Sequence, residues 1–239
     1  VEGVDPEQVM PLAVEQAKFD WGEMPVPERM GYDNSVLFGI DPQQAIEGEQ
    51  ALLDLRFILG QPTKVVQDLA LGDTCVISQD FARTAGKTIG DSISFIPPNA
   101  EQERVSYRVV GVVDLPGWQW VTKFSGVRRH FVRTSSMIFV DREAVLRDFH
   151  LARPEFCWMN LKPTAELPKV EAAMQRIAEA HSGGTFHADG LGEVTSYRPF
   201  ARSTATSTVT RAITIRAKDM IWGMSQLPLI TLFIMSLAV

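Results

Sequence analysis

Apolar and polar positions divide this chain into short elements of mixed type. Val4-Asp5-Pro6 predicts a helix start, with Asp5 at the N-cap and Pro6 at the first helical position. Val9, Leu12, Ala13 and Ala17 then fall on one helical face. Residues 22–34 are polar and carry Pro and Gly, so they read as a loop. The apolar run Ser35–Ile40 predicts a buried strand. Asp41-Pro42 repeats the helix start, and residues 45–59 supply a helical pattern ended by Gly60 and Pro62.

The middle of the chain is richer in strands. Thr74–Ser78 predicts one, followed by a short helix over Gln79–Ala85 that Gly86 stops. Gly90-Asp91 marks a turn into the alternating run Ser92–Ile96, and 105–113 predicts a second strand, paired or adjacent. Residues 114–134 fit no element. Beyond them, 136–140 reads as a strand, Asp141 caps a helix over 143–149, and Phe156–Leu161 reads as a strand. Residues 167–181 form an amphipathic helix with the stripe Leu167, Val170, Met174, Ile177 and Ala178. Gly183-Gly184 ends it, and Thr185–Ala188 begins another strand. The strand–helix alternation over 136–188 implies an α+β fold with helices on one sheet face.

From Ala201 the character changes. Residues 201–219 are rich in Ser and Thr, with basic charges until Asp219, and Val209, Ile213, Met220, Met224 and Leu227 keep helical spacing. This predicts a helical stalk. From Met220 to Val239 there is no charge. A membrane span needs about 20 mostly apolar residues, so the run reads as the opening of a transmembrane helix, with a buried C-terminal helix as the alternative. Its strongly apolar part begins at Leu227. Gly223 and Pro228 weaken a long soluble helix but are tolerated in membrane helices. The chain starts at Val1-Glu2-Gly3 without an initiator Met or signal-peptide pattern, which reads as a fragment.

Charge narrows the function classes. The net charge is −6, but residues 1–103 carry 18 acidic and 6 basic side chains, whereas 104–239 carry 11 and 17. That imbalance and the absence of a basic-aromatic module argue against nucleic acid as a partner. Cys75 lies in a strand-like apolar run and reads as a buried free thiol; a bridge to Cys157 is the alternative. Gly86-Lys87-Thr88 suggests a phosphate loop, but Phe81 stands where its first Gly belongs and a helix precedes it. No HExxH, CxxC or GxSxG motif occurs. His181 and His187 read as a solvated pair, and Glu47 and Glu49 as surface charges. No catalytic, cofactor-binding or metal residue is selected.

One segment has a surplus of features. Trp118, Trp120, Phe124, Arg128 and Arg129 fall within 117–133, and Trp and Arg are enriched at interface hot spots. They read either as a partner- or substrate-contact surface or as a long loop packed on the domain. Arg211, Arg216, Lys218 and Trp222 read as contacts near the membrane surface, or as a solvated helix face.

A larger constellation follows from Gly72-Asp73-Thr74-Cys75-Val76-Ile77-Ser78, the helix DFARTAG, Ile89-Gly90-Asp91-Ser92-Ile93-Ser94-Phe95 and Tyr107-Arg108-Val109-Val110-Gly111-Val112-Val113. The order resembles the extracytoplasmic core domain of FtsX-like, MacB-type ABC transporter permeases. Gly3-Val4-Asp5-Pro6 and Gly39-Ile40-Asp41-Pro42 resemble a segment common in those domains, although two copies stand where one is expected. The resemblance implies an extracytoplasmic α+β domain over 1–200, with a β-rich subdomain at about 63–134 and an α/β part at about 1–62 and 135–200. A stalk over 201–219 and a membrane-surface segment running into a transmembrane helix over 220–239 complete it.

The same resemblance implies a non-catalytic subunit in the inner membrane, with its domain on the periplasmic side. It implies a cytoplasmic ATPase partner that binds ATP on a separate subunit, a second permease copy, membrane lipid and an outer accessory protein. Basic residues before the tail run against that placement under the positive-inside rule, though long domains translocate largely regardless of charge. A soluble or peripheral interaction module with a buried or amphipathic C-terminal helix is the competing class, and an enzyme with an unfamiliar site is a third.

Overall fold

A computed structural model describes residues 1–22, 35–47, 55–97, 103–115, 137–154, 156–180, 185–188, 192–195, 221–222 and 226. The strands are β1 (Val4–Phe19), β2 (Ser35–Ile40), β3 (Arg56–Leu59), β4 (Thr74–Ser78), β5 (Ser92–Ile96), β6 (Val105–Asp114), β7 (Met137–Asp141), β8 (Phe156–Leu161), β9 (Thr185–Ala188) and β10 (Gly192–Thr195). The helices are α1 (Pro42–Ile46), α2 (Pro62–Leu69), α3 (Gln79–Ala85), α4 (Arg142–Asp148) and α5 (Leu167–Ala180). The class is α+β.

An 8-stranded mixed sheet runs β2-β7-β4-β6-β5-β1-β8, with β3 added on β6. β2–β7 and β4–β6 are parallel, and the other pairs are antiparallel. β1 also pairs with β2, from Ala13↔Gly39 to Ala17↔Ser35, so the path closes on itself. Strands from 63–134 and strands from 1–62 and 135–200 hydrogen-bond within this one sheet. β9 and β10 form a separate antiparallel pair.

Side-chain alternation sorts the core into two layers. On one face Leu37, Cys75, Ile77, Phe95, Tyr107 and Val140 pack with Phe81 and Ala85 of α3 and with Ala144 and Val145 of α4. On the other, Val36, Phe38, Ile40, Val76, Val110 and Phe139 pack with Ala45 of α1 and Val65 and Leu69 of α2. Helices therefore cover both sheet faces, with α4, from the 136–188 stretch, on the first and α1 and α2 on the second. The reason is visible in β2, where all six residues are buried, because each face has its own helical cover. On the first face Phe19 meets Phe81 edge-on at 5.1 Å, a favoured aromatic geometry.

Local chemistry sets most element ends. Asp41 accepts a hydrogen bond from Gln44 N at 3.1 Å and Pro42 occupies the first turn of α1. Ser78 caps α3 through Phe81 N, and Gly86, in the left-handed region at φ +62°, ends it. Asp141 caps α4 through Ala144 N. These caps each contribute about 1 kcal/mol.

Four expectations need correction. The predicted first helix is the 16-residue strand β1. Its apolar positions fit both periods, and partners on β2, β5 and β8 decide the outcome. Asp5 accepts from Glu7 N, two residues on, instead of capping a helix. The helix over 45–59 ends at Ile46, and Arg56–Leu59 is β3. Gly60 and Pro62 open α2 instead of closing a helix, with Pro62 in its first turn and Val65, Val66 and Leu69 buried. In the stripe of α5, Val170 is buried but Ile177 is exposed, so that helix rests on the domain near its N-terminal end.

Candidate functional site

The aromatic-basic segment is rooted in the sheet. β7 runs antiparallel to β4, which runs parallel to β6, so the end of β6 and the start of β7 lie at one end of the sheet. Val113, Leu115 and Met137, which flank the segment, are buried. Arg56 and Asp114 face each other there at 4.0 Å, with side chains 76% and 42% exposed. Exposed pairs of this kind contribute little to stability. Trp118, Trp120, Phe124, Arg128 and Arg129 lie outside the described residues, as do Arg211, Arg216 and Lys218. Trp222 is helical and exposed beside exposed Ile221.

The block that carries the family resemblance is one interlocked unit. Asp91 Oδ2 accepts from Thr88 N at 2.8 Å, and Gly90 at φ +94° turns the chain. Gly90 N donates to Val109 O and Val109 N to Asp91 O, both at 2.8 Å, so the turn is fastened to β6. β5 then pairs antiparallel with β6 from Ser92↔Arg108 to Phe95↔Val105, so of the paired and adjacent arrangements the pair is the one formed.

Gly111 stands at an irregularity of β6 and in close packing. The β4–β6 register passes from Cys75↔Val109 to Val76↔Gly111, leaving Val110 as an extra residue. A Cβ at Gly111 would lie 3.2 Å from Phe57 and Val76 side-chain atoms. The turn between β3 and α2 is tighter still, since a Cβ at Gly60 would sit 2.9 Å from Val110 O, at φ +96°.

The ionisable groups of this region are held inert. Cys75 is fully buried, and burial pushes its thiol up, away from the nucleophilic thiolate. Tyr107 is buried; burial first and the Asp148 carboxylate second push its phenol up. Its hydroxyl donates to Asp148 Oδ2 at 3.0 Å. Arg147 holds the same carboxylate through Nε at 2.7 Å, reaches Gly72 O at 3.3 Å, and is held charged by Asp148. Burial raises Asp141, against the cap bond that lowers it. These contacts lock α4 to β6 and the start of β4.

Cys157 is exposed and, like Cys75, free. Among the described residues, no group of three or more His, Cys, Asp or Glu is placed to hold a metal. Phe81, which stands against the phosphate-loop reading, is buried in α3. Among them, too, no helix is long and apolar enough to cross a membrane; nearly all of 201–239 lies outside that set. Sequence reasoning missed Gly60 and Tyr107–Asp148. Gly60 had a usable signal in Gly-x-Pro, whereas Tyr107 and Asp148 are 41 residues apart with nothing local to link them.

No protein-family model matches the chain, and no curated protein does. Solved structures do. The periplasmic region of MacB from Actinobacillus actinomycetemcomitans is 13% identical, with TM-score 0.47, covering 75% of this chain and 68% of that one. The extracellular domain of the noncanonic ABC-type transporter YknZ from Gram-positive bacteria is 17% identical, with TM-score 0.47, covering 76% and 78%. A domain of a protein named as a permease, from Porphyromonas gingivalis, is 12% identical, with TM-score 0.40, covering 87% and 84%. At these identities and scores the likeness is one of partial topology, and no function follows from it.

Proposed function

We propose that this chain is the non-catalytic extracytoplasmic domain of an ABC transporter permease subunit. The observation that supports this reading best is the interlocked block. Helix α3, the Gly90-Asp91 turn, β5 and the glycine-bearing strand β6 occur in the order of the family constellation, and each motif residue has a structural purpose within it. The thiol and phenol within that block are protonated and fully packed, which suits a mechanical part better than a chemical one.

In this reading residues 1–200 stand outside the inner membrane, on the periplasmic side in a two-membrane cell. Residues 201–219 are a helical stalk, and 220–239 enter the membrane. A cytoplasmic ATPase binds ATP, a second permease copy completes the pair, and closure of the ATPases moves the membrane helices. The stalk passes that motion to the domain, which changes its hold on a lipid, lipoprotein, peptide, drug or outer partner protein. Trp118, Trp120, Phe124, Arg128 and Arg129 supply the contact surface, rooted on the buried ends of β6 and β7. Arg211, Arg216, Lys218 and Trp222 rest at the lipid headgroups.

Rigid coupling demands an unbroken stalk. A flexible Gly-Ser insertion near Ala201 should abolish transport while ATP binding by the partner subunit persists. Transport at the wild-type rate would sink the proposal. Behaviour of the whole chain as a detergent-independent monomer, with residues 220–239 protected from exchange, would favour the interaction-module reading instead.

A further inference from the structure

Large apolar residues on α5 recur as Leu167, Val170, Met174 and Ile177, at steps of three, four and three. That is the 3.5-residue average of a seam between two helices. Val170 is buried next to Gly3, where an added Cβ would lie 2.8 Å from Val170 Cγ2. Met174, one turn on, is only partly buried, and Ile177 is 48% exposed. The seam therefore opens toward the C-terminal end of α5.

Charge says what kind of helix closes it. Glu171 borders the seam, is exposed, and makes no ion pair among the described residues. Glu166, on the other border, is held by Lys169 at 2.6 Å. The open stretch thus sets an uncompensated carboxylate beside its apolar row, which fits a helix with a base beside its own row. An acidic border also disfavours an anionic lipid surface.

The stalk sequence has that pattern. Ile213, Ala217, Met220, Met224 and Leu227 step by four, three, four and three, and Arg216 borders the row. Ile221, Trp222 and Gln226, the described residues of this stretch, are all helical. By the same spacing Arg211, Lys218 and the exposed Trp222 fall on the side away from the row.

We infer that the stalk docks on α5 in parallel, with Met224 on Met174, Leu227 on Ile177, and Arg216 paired with Glu171. The orientation follows from the borders. In an antiparallel seam like borders meet, which sets Glu171 against Thr214 or Ile221; in a parallel one it meets Arg216. The inference deepens the proposed function, on which it rests, by naming where stalk motion enters the domain.

Disulfide trapping in the full 239-residue chain tests it. Cys157→Ser removes the exposed native thiol, and buried Cys75 stays. In detergent micelles, two pairs should bridge within one chain under mild oxidation: Met174→Cys with Met224→Cys, and Ile177→Cys with Leu227→Cys. Both should bridge at least tenfold faster than Met174→Cys with Trp222→Cys, because a disulfide needs Cβ atoms within about 4.5 Å. Glu171→Arg should slow bridging about threefold, and adding Arg216→Glu should restore it, a rescue that a merely structural role for Glu171 does not give. Equal rates for all three pairs, no bridging, bridging only between chains, or slowing without rescue overturns the docking. The Gly-Ser insertion near Ala201 is read separately. Bridging in the uninterrupted chain, with wild-type transport by the insertion variant, keeps the contact and removes its use in transport. No bridging, with transport lost in the insertion variant, removes the contact and leaves the proposed function.

Discussion

Gly60→Ala should be among the most destabilising single-methyl additions in this fold, and its size follows from two separable causes. The first is backbone: at φ +96° a side chain costs about 1–2 kcal/mol. The second is space. The new Cβ would sit 2.9 Å from Val110 O, 3.0 Å from Val65 Cγ2 and 3.3 Å from Gly111 Cα. Two of these atoms are backbone and have no rotamer to escape into, so overpacking of about 1–3 kcal/mol applies. Loss of glycine freedom in the unfolded chain offsets about 0.4–1 kcal/mol. The net loss is about 3 kcal/mol, a drop in Tm of roughly 6–12 °C for a domain of this size.

Gly90→Ala is the matched control. Its φ is +94°, yet nothing lies within 4 Å of the added Cβ, so only the backbone cost and the offset remain, about 1 kcal/mol net. Urea denaturation followed by circular dichroism gives both values from linear extrapolation. A Gly60→Ala loss within about 0.5 kcal/mol of the Gly90→Ala loss would refute the close-approach argument and leave backbone strain as the whole effect.

The cysteines and Tyr107 give three further outcomes. Burial raises the Cys75 thiol in the folded state, so its contribution is complete below the unfolded value of about 8.5 and is lost as pH rises above it, at up to about 1.4 kcal/mol per pH unit; Cys75→Ala should flatten stability between about pH 8.5 and 10, and an unchanged slope in denaturation midpoints counts against it. In a thiol titration of the native chain Cys157 should react at once and Cys75 only after unfolding, with two fast thiols as the contrary result. Tyr107→Phe should cost about 1–2 kcal/mol at neutral pH, because it leaves Asp148 short of one donor in a partly buried site, and should remove the stability loss that the raised phenol imposes above about pH 10. Equal stability of the two proteins by urea midpoint would show that Arg147 alone satisfies Asp148.

Elements with local punctuation were readable in the sequence. Ser78 and Gly86 bracket α3, Asp141 caps α4, and Gly90-Asp91 turns into β5, each through atoms at most four residues away. What was misread depends on distant partners. Ala13 and Ala17 suit a helical stripe or a strand face equally; Gly39 and Ser35, across the β1–β2 ladder, make them a strand. Pro62 marks a helix start as readily as a stop, and burial of Val65 against the sheet chooses the former. The candidate contact residues of 117–133 were legible as composition only, since no periodicity ties those Trp and Arg side chains to a face.

Closure of the sheet by the β1–β2 pairing has a consequence for how the chain acquires its structure. Val36 finds its neighbour at Met137 and Leu12 finds Phe156, so no N-terminal fragment holds a complete core. Contacts this distant in sequence must meet the entropy of closing long loops before they gain from burial, which places folding toward the slow, millisecond-to-second range. During synthesis β1 and β2 can pair with each other, but β2 lacks β7 and β1 lacks β8 until those strands are made.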